Sequence, residues 1–398
     1  MRILYVTAFW SGLKDILLEN KAEASGMPAF IKPLKHLLEH SHSIDLLIAS
    51  DKNSTITLPR EHWLGKCKVR TFRFQTKGTL TRATSYLSAT ATVTKTLVKR
   101  KYDFVYMQGS SGTVANIPAL LLNIKAGQRL YGTFLAEKSG KQSLLKTLLQ
   151  HPLEALALIL PKAFLLITND GTKGDILHKN IGNSLYSFHF LLNGVDLPPI
   201  SRESKTPRGE QILFYPARLE RWKRQDIALE ILSKLHHIHH LKFRLVCAGH
   251  IYDKSWHTEL LEKAENLGVA PYFTHHERLN KEEMIQTYSS SFATLSLYDL
   301  SNLGNVAIEA LATGALLMAR NDGSLNSLVA NKKSAILIMN ADQGAHEIAR
   351  LYEAPQERLK LMKSAKEVAQ KVFKPWSTRC RTEEAIIKSS GSCTINII

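Results

Sequence analysis

Short apolar runs alternate with amphipathic stretches along nearly the whole chain, and this alternation restricts the fold more than any other feature. A strand covered on both faces reads as a continuous Val, Ile and Leu run, whereas a helix lying on a sheet repeats every 3.6 residues. The opening run, Arg2–Ala8, predicts a buried strand. A loop containing Ser25-Gly26-Met27-Pro28 then leads into a helix with Phe30, Ile31, Leu34, Leu37 and Leu38 on one face. Further strands are expected at Ile44–Ala49, Val69–Phe74, Asp103–Met107, Arg129–Thr133 and Ala163–Thr168, with a helix over 83–101. Residues 197–211, LPPISRESKTPRGEQ, read as a linker. The pattern then restarts with strands at Ile212–Ala217, Lys242–Ala248, Phe292–Leu297, Leu316–Ala319 and Ala335–Ile338, and helices over 224–239, 256–267 and 342–372. Repeated β-α-β units predict doubly wound parallel sheets that bind ligands at the carboxyl ends of strands. At 398 residues two cores are expected, 1–196 and 212–372, with a cleft between them.

Charge divides unevenly between these halves. Residues 1–190 carry 25 Lys and Arg against 12 Asp and Glu, which accounts for +13 of the total +17. A basic first half suits an anionic partner such as a membrane surface or an acidic substrate, and equally a solvated charged face. Nucleic acid is disfavoured, because no helix-turn-helix, aromatic RNA platform or zinc pattern is visible. The greasy stretch Leu144–Ile167 is broken by Lys146, His151, Pro152, Glu154, Pro161 and Lys162, so it reads as a core helix or one touching a bilayer rather than a span. Cys67, Cys247, Cys380 and Cys393 match no metal-ligand spacing and suit a reducing compartment. With a strand at the very start, no signal peptide is expected, and the expected location is cytoplasmic, with peripheral membrane attachment as an extension.

Three segments carry chemistry. The first, 299–314, reads DLSNLGNVAIEALATG after a strand. A turn with Gly304 entering a helix presents free N–H groups and a partial positive charge, a site for phosphate. Glu309, one turn further, is placed to accept from ribose hydroxyls. The plainer reading is an ordinary β-turn-α unit with a solvent-facing Glu. In the second, ILFYPARLERWKR at 212–224, Arg218 follows the strand end and Lys223 opens the next helix. A guanidinium and an ammonium there suit the two phosphates of a departing nucleotide. The third is the Asn193-Gly194 turn. His236, His237, His239 and His240 crowd a helix end, where they complement the dipole or hold a metal.

LNGVD at 192–196, YPARLERWK at 215–223, LVCAGH at 245–250 and SNLGNVAIEALATG at 301–314, in this order, resemble the family 4 retaining glycosyltransferases of the GT-B fold. Phe373-Lys374-Pro375-Trp376-Ser377 is similar to that family's last segment, where 373–398 crosses back to the first domain. The N-terminal likeness is weaker and rests on the first strand, the Gly26 loop and Tyr131-Gly132-Thr133-Phe134. The resemblance implies two facing Rossmann-like domains and a nucleotide-sugar donor, a UDP-sugar or a GDP-sugar, with no further cofactor and no metal. It implies diphosphate contacts from Arg218 and Lys223 and ribose contact from Glu309. Further donor contacts would come from Gly26, Gly249, His275 and the stretch Ser301, Asn302, Leu303, Gly304 and Asn305. Thr133 and Gln108 would lie on the acceptor side. It further implies a saccharide or lipid-linked saccharide acceptor, in polysaccharide or lipopolysaccharide synthesis.

Two departures stand out. The family's paired-Glu motif has Ser301 at its first position, which puts the sugar contact in doubt. Ser301, Asn302 or the carboxylate of Asp299 are the available substitutes. The His usual after the Tyr131-Gly132-Thr133 strand is missing. A nucleotide-sugar epimerase of similar fold and a non-catalytic partner subunit remain as alternatives.

Overall fold

The computed structural model describes residues 1–9, 13–18, 28–40, 42–51, 55–56, 58, 62–75, 79–133, 135–136, 143–182, 184–196 and 211–392. Gly26, Phe134 and residues 197–210 of the expected linker over 197–211 lie outside the described residues, and its last residue, Gln211, opens a strand. The chain divides into two compact units, Met1–Gly194 with Trp376–Ile398, and Val195–Pro375. Expected boundaries were 196/197 and 372/373.

In the first unit the strands are β1 (Arg2–Ala8), β2 (Ser43–Ser50), β3 (Thr55–Ile56), β4 (Lys68–Arg73), β5 (Phe104–Gln108), β6 (Ala126–Leu130), β7 (Phe164–Thr168) and β8 (Ser187–Leu191). They form one sheet in the order β3-β4-β2-β1-β5-β6-β7-β8, parallel except for β3 against β4. Successive side chains point to opposite faces. Ile3, Tyr5, Phe104, Tyr106, Phe164 and Leu166 therefore pack on one side, with Phe30 and Leu34 of the helix Pro28–Glu39 and Ile387 of the helix Trp376–Ser392. Leu4, Val6, Val105 and Met107 pack on the other, with Val93 and Leu97 of the helix Thr79–Lys99.

The returning helix Trp376–Ser392 is fastened by a buried ionic cluster. Glu383 accepts from Arg129 Nη1 at 2.8 Å, Arg379 Nη1 at 2.9 Å and the Tyr106 hydroxyl at 2.5 Å. Burial alone would raise its pKa, but the two guanidinium groups and the hydrogen bonds outweigh this and hold it below the usual carboxylate range. Gly194 is needed where the chain leaves this unit, since a Cβ there would sit 2.8 Å from Trp376 Cα. The Asn193-Gly194 turn thus serves a close backbone approach.

Several sequence expectations need correction. The strand expected at Arg129–Thr133 is β6, Ala126–Leu130. It stops because Gly132 takes φ +99° against the Asp170 carboxylate, where a Cβ would stand 2.3 Å from Oδ2. Leu144–Ile167 is not one helix but the helices Leu144–Gln150 and Pro152–Ile159 followed by β7. Pro152 restarts the second helix at its first turn. Residues 342–372 form two helices, Ala341–Glu353 and Pro355–Val372, split at Pro355. The sequence reading missed β8, whose residues are only partly buried and so lack a strong apolar run.

The second unit holds β9 (Gln211–Tyr215), β10 (Phe243–Ala248), β11 (Phe273–His276), β12 (Ala293–Ser296), β13 (Leu317–Arg320) and β14 (Ile336–Ile338). All pairings are parallel, in the order β11-β10-β9-β12-β13-β14. Strand order reverses at β9/β12, and in open α/β sheets ligands bind outside the carboxyl ends of strands at such a reversal. Among the described residues, no helix is long and apolar enough to cross a membrane.

Candidate functional site

The reversal point of the second unit is built from the turns that follow β9 and β12. After β9 the chain passes Arg218, makes a short 3₁₀ turn at Arg221–Lys223, and enters the helix Gln225–His237 through Arg224 in the left-handed conformation. Arg218 keeps 45% of its side chain exposed. Its guanidinium donates to Glu220 Oε2 at 3.1 Å and lies 5.3 Å over the Tyr252 ring. Behind it, Gln225 Nε2 donates to the Arg218 carbonyl at 2.8 Å, and Trp256 Nε1 donates to Gln225 Oε1 at 3.0 Å. The Lys223 ammonium sits between two rings, 3.7 Å from the Trp222 centroid and 3.6 Å from that of Tyr298. Both cations are thus held in place by neighbours at a strand end.

Gly249, just past β10, presses on this turn. At φ +156° a Cβ would fall 2.4 Å from the Ala217 carbonyl oxygen and 2.7 Å from Arg218 N. His275 in β11 places Nε2 2.8 Å from the Gly249 carbonyl oxygen, and burial lowers the pKa of the imidazole. Its ring therefore fastens the Gly249 turn.

The turn after β12 is pinned by Asn302, which is fully buried. Its Oδ1 accepts from Tyr298 N at 3.0 Å and Ser296 Oγ at 3.1 Å; its Nδ2 donates to the Tyr298 carbonyl and to Asp322 Oδ2, both at 2.9 Å. Asn302 is a scaffold residue, and its side chain is not available as a sugar contact without losing these bonds. The carboxylate of Asp299 is likewise committed, accepting from Arg224 Nη1 at 3.1 Å and from Arg320 Nη1. Ser301 adopts φ +65° and Leu303 is buried, so Leu303 offers the site only backbone. Gly304 is the N-cap of the helix Asn305–Thr313 and has no side chain with which to cap its first N–H groups.

The turns after β9 and β12 are laced together. Asp299 N donates to the Trp222 carbonyl at 2.9 Å. The Tyr215 hydroxyl donates to the Lys223 carbonyl and accepts from Leu297 N at 3.1 Å.

Glu309, expected as a ribose ligand or a plain surface carboxylate, is partly buried and accepts from the Tyr288 hydroxyl at 2.9 Å. Burial raises its pKa to about 7, against the opposing effect of the Tyr288 hydrogen bond. The solvent-facing reading is therefore set aside. Arg218, Lys223, Gly249, His275 and the 301–305 turn gather at the carboxyl ends of the four neighbouring strands β11, β10, β9 and β12.

Thr133 and Gln108 belong to the first unit. Thr133 Oγ1 donates to Glu154, and Thr133 N donates to Thr172 Oγ1 at 2.8 Å, so its side chain is occupied within the fold. Gln108 ends β5, beside β1, where the order of that sheet reverses. It is fully buried, accepts from the Tyr131 hydroxyl at 2.5 Å, and its Nε2 has no partner among the described residues.

The sequence reading did not single out Glu220, Tyr252, Tyr288, Tyr298 or Asp322. Of these, the cluster of tyrosines near Arg218 and Lys223 has no local spacing that would have marked it. The His236–His240 group is committed to the fold, with His236 Nε2 2.7 Å from the Phe243 carbonyl oxygen and His237 Nε2 3.1 Å from that of Leu267.

Comparison with known proteins addresses this same unit. Residues 198–368 match the family described as "Glycosyl transferases group 1". A D-inositol 3-phosphate glycosyltransferase of Nocardiopsis dassonvillei is 26% identical over 247 residues, or 58% of this chain and 56% of that protein. The matched stretch thus spans little more than half the length of that relative. Across the whole fold, sucrose-phosphate synthase of Thermosynechococcus elongatus superposes with a TM-score of 0.71 at 14% identity, covering 98% of this chain and 99% of that one. Anabaena HepE in complex with UDP-glucose superposes with a TM-score of 0.71 at 16% identity, covering 98% and 100%. The chain therefore has the two-sheet α/β architecture of the GT-B class, and its residues 198–368 are similar to the glycosyl transferases group 1.

Proposed function

We propose that this chain transfers a sugar, with retention of configuration, from a nucleotide diphosphate sugar to a saccharide or lipid-linked saccharide acceptor. The reading rests on one observation above others: Arg218 and Lys223 after β9, and the start of the helix Asn305–Thr313 led in by Gly304 after β12, flank the reversal of strand order. In the proposed reaction the bond between the sugar C1 and the diphosphate oxygen breaks. A C1–O bond to the acceptor hydroxyl forms on the same face, and the hydroxyl proton passes to the leaving diphosphate. Arg218, Lys223 and the helix start would stabilise the charge that builds on that leaving group, and Glu309 in its ionised form would accept from the ribose. Loss of one such preorganised donor costs about 3 kcal/mol, or 10²–10³-fold in rate.

The donor class draws support from HepE, a structural relative solved with UDP-glucose. A role in surface polysaccharide or lipopolysaccharide synthesis, on the inner face of an anionic membrane, is part of the proposal. Its support is the excess of +13 in residues 1–190 and the exposure of Leu121, Leu145 and Leu149 in the first unit. Basic residues near such a surface contribute about 1 kcal/mol each.

The test is thermal-shift screening of UDP-, GDP-, ADP- and CMP-linked sugars, followed by turnover of Arg218→Ala and Lys223→Ala. The expected result is donor stabilisation in wild type and a 10²–10³-fold loss of turnover in each variant. Folded variants with wild-type turnover would overturn the phosphate roles. An epimer formed from donor alone would replace transfer by epimerisation. Tight donor binding without transfer to any acceptor would identify a non-catalytic subunit.

A further inference from the structure

The first unit carries a second cluster of chemically competent side chains, remote in sequence from the residues discussed so far. His36 lies in the last turn of the helix Pro28–Glu39, and His40 follows four residues later. Residues four apart on a helical turn share one face, and here the two imidazole centroids are 3.9 Å apart. His40 N donates to the His36 carbonyl at 3.0 Å, so the helical turn continues through His40. Glu384 reaches the same place from the returning helix Trp376–Ser392, with Oε2 2.8 Å from His36 Nε2.

We infer that His36, His40 and Glu384 form a binding site for a divalent transition-metal ion of the zinc type, which clamps the returning helix Trp376–Ser392 to the helix Pro28–Glu39. One ligand atom from each of the three residues already lies within 4.8 Å of the others. Tetrahedral zinc with bonds of about 2.0–2.1 Å separates its ligand atoms by roughly 3.3 Å, a closure within the reach of side-chain rotation. Two imidazoles and a carboxylate are a zinc-type donor set.

The His40 tautomer is arranged for it, and binding displaces the proton that His36 Nε2 donates to Glu384 Oε2. His40 Nδ1 sits 2.8 Å from the His36 carbonyl oxygen, so it carries the proton there and presents Nε2 as the ligand atom. A ligating His commonly spends its other N–H on a backbone carbonyl in this way. The carboxylate is oriented as well. Glu384 Oε1 accepts from His42 Nε2 at 3.1 Å and from Lys388 Nζ at 2.6 Å, which leaves Oε2 on the imidazole side. His42 is itself fixed by a hydrogen bond from its backbone N–H to the Leu37 carbonyl at 3.2 Å. His40 is exposed, which gives the ion an entry side and leaves room for water as a fourth ligand. Among the described residues, no comparable gathering of three ligand atoms forms at His236–His240.

The test uses the full chain, stripped with chelator and dialysed against Zn²⁺, with bound metal measured, and Co²⁺ absorption as a report of tetrahedral coordination. Wild type is expected to take up one ion that His40→Ala, His40→Gln and Glu384→Gln bind at least tenfold more weakly. Zn²⁺ should raise the Tm of wild type and leave that of the His40 variants unchanged. His40 is a surface residue, so its variants fold and the comparison stands even if Glu384→Gln does not. Equal uptake by wild type and both His40 variants, or uptake abolished only by changing His237 and His239, would overturn the site. None of these readouts depends on glycosyl transfer.

Discussion

Gly249→Ala tests how tightly the anion-binding turn is held. The added methyl would stand 2.4 Å from the Ala217 carbonyl oxygen, 2.5 Å from Ala217 C and 2.7 Å from Arg218 N, all backbone atoms that cannot swing aside. Real Cβ contacts essentially never fall below 3.0 Å, so the peptide bearing Arg218 must move by at least about 0.6 Å. Overpacking of this kind costs ~1–3 kcal/mol. Holding alanine at φ +156° adds ~1–3 kcal/mol. The expected loss of about 2–6 kcal/mol is a large part of the stability of a typical domain. Misplacing a catalytic group by about 1 Å costs around 10²-fold, so kcat/KM for donor should fall about 10–10²-fold even where the variant is folded. The assays are urea unfolding and initial rates at subsaturating nucleotide sugar. Gly314→Ala supplies the control: Gly314 has φ +73° but its nearest neighbour is 3.7 Å away, so it should lose ~1 kcal/mol from strain and no turnover. If Gly249→Ala unfolds within 1 kcal/mol of wild type and turns over at the same rate, the claim that Gly249 positions Arg218 is wrong.

Further outcomes follow from the buried polar groups. The Glu309 carboxyl has a folded pKa of about 7 against an ordinary 4.5, so the stability it contributes is complete below about pH 4.5 and is lost as pH rises through 7. At ~1.4 kcal/mol per unit this is at most ~3 kcal/mol. Urea unfolding of wild type and Glu309→Gln at pH 5 and pH 8 should show this slope in wild type alone, and parallel profiles would refute it. Asn302→Ala removes four side-chain hydrogen bonds and strands the Tyr298 N–H, so a loss of ~3 kcal/mol is expected by denaturant titration. Glu383→Gln leaves Arg129 and Arg379 buried without a counter-charge and should cost ~3–5 kcal/mol in the same assay; a neutral result would mean that the cluster does not fasten the returning helix.

The amino-acid sequence alone determined what depends on neighbours along the chain. Strands such as Arg2–Ala8 and Phe164–Thr168 are mainly apolar runs, and their burial follows from that. The Gly304 turn into a helix, and Arg218 just past a strand, are legible because a handful of consecutive residues build them. Tertiary structure decided what depends on residues brought from elsewhere. That strand order reverses at β9/β12, placing these two local features side by side, is a matter of sheet register between segments about 80 residues apart. Asn302 and Asp299 read as sugar contacts until Asp322, Arg224 and Arg320 are seen to occupy them. Glu309 reads equally as a ribose ligand or a surface carboxylate until Tyr288 arrives from another helix and buries it. The meeting of His36 and His40 with Glu384 spans 348 residues, and no periodicity encodes it. Local propensity acts over one or two turns, whereas the environment that sets a side chain's partners and charge is assembled by long-range packing.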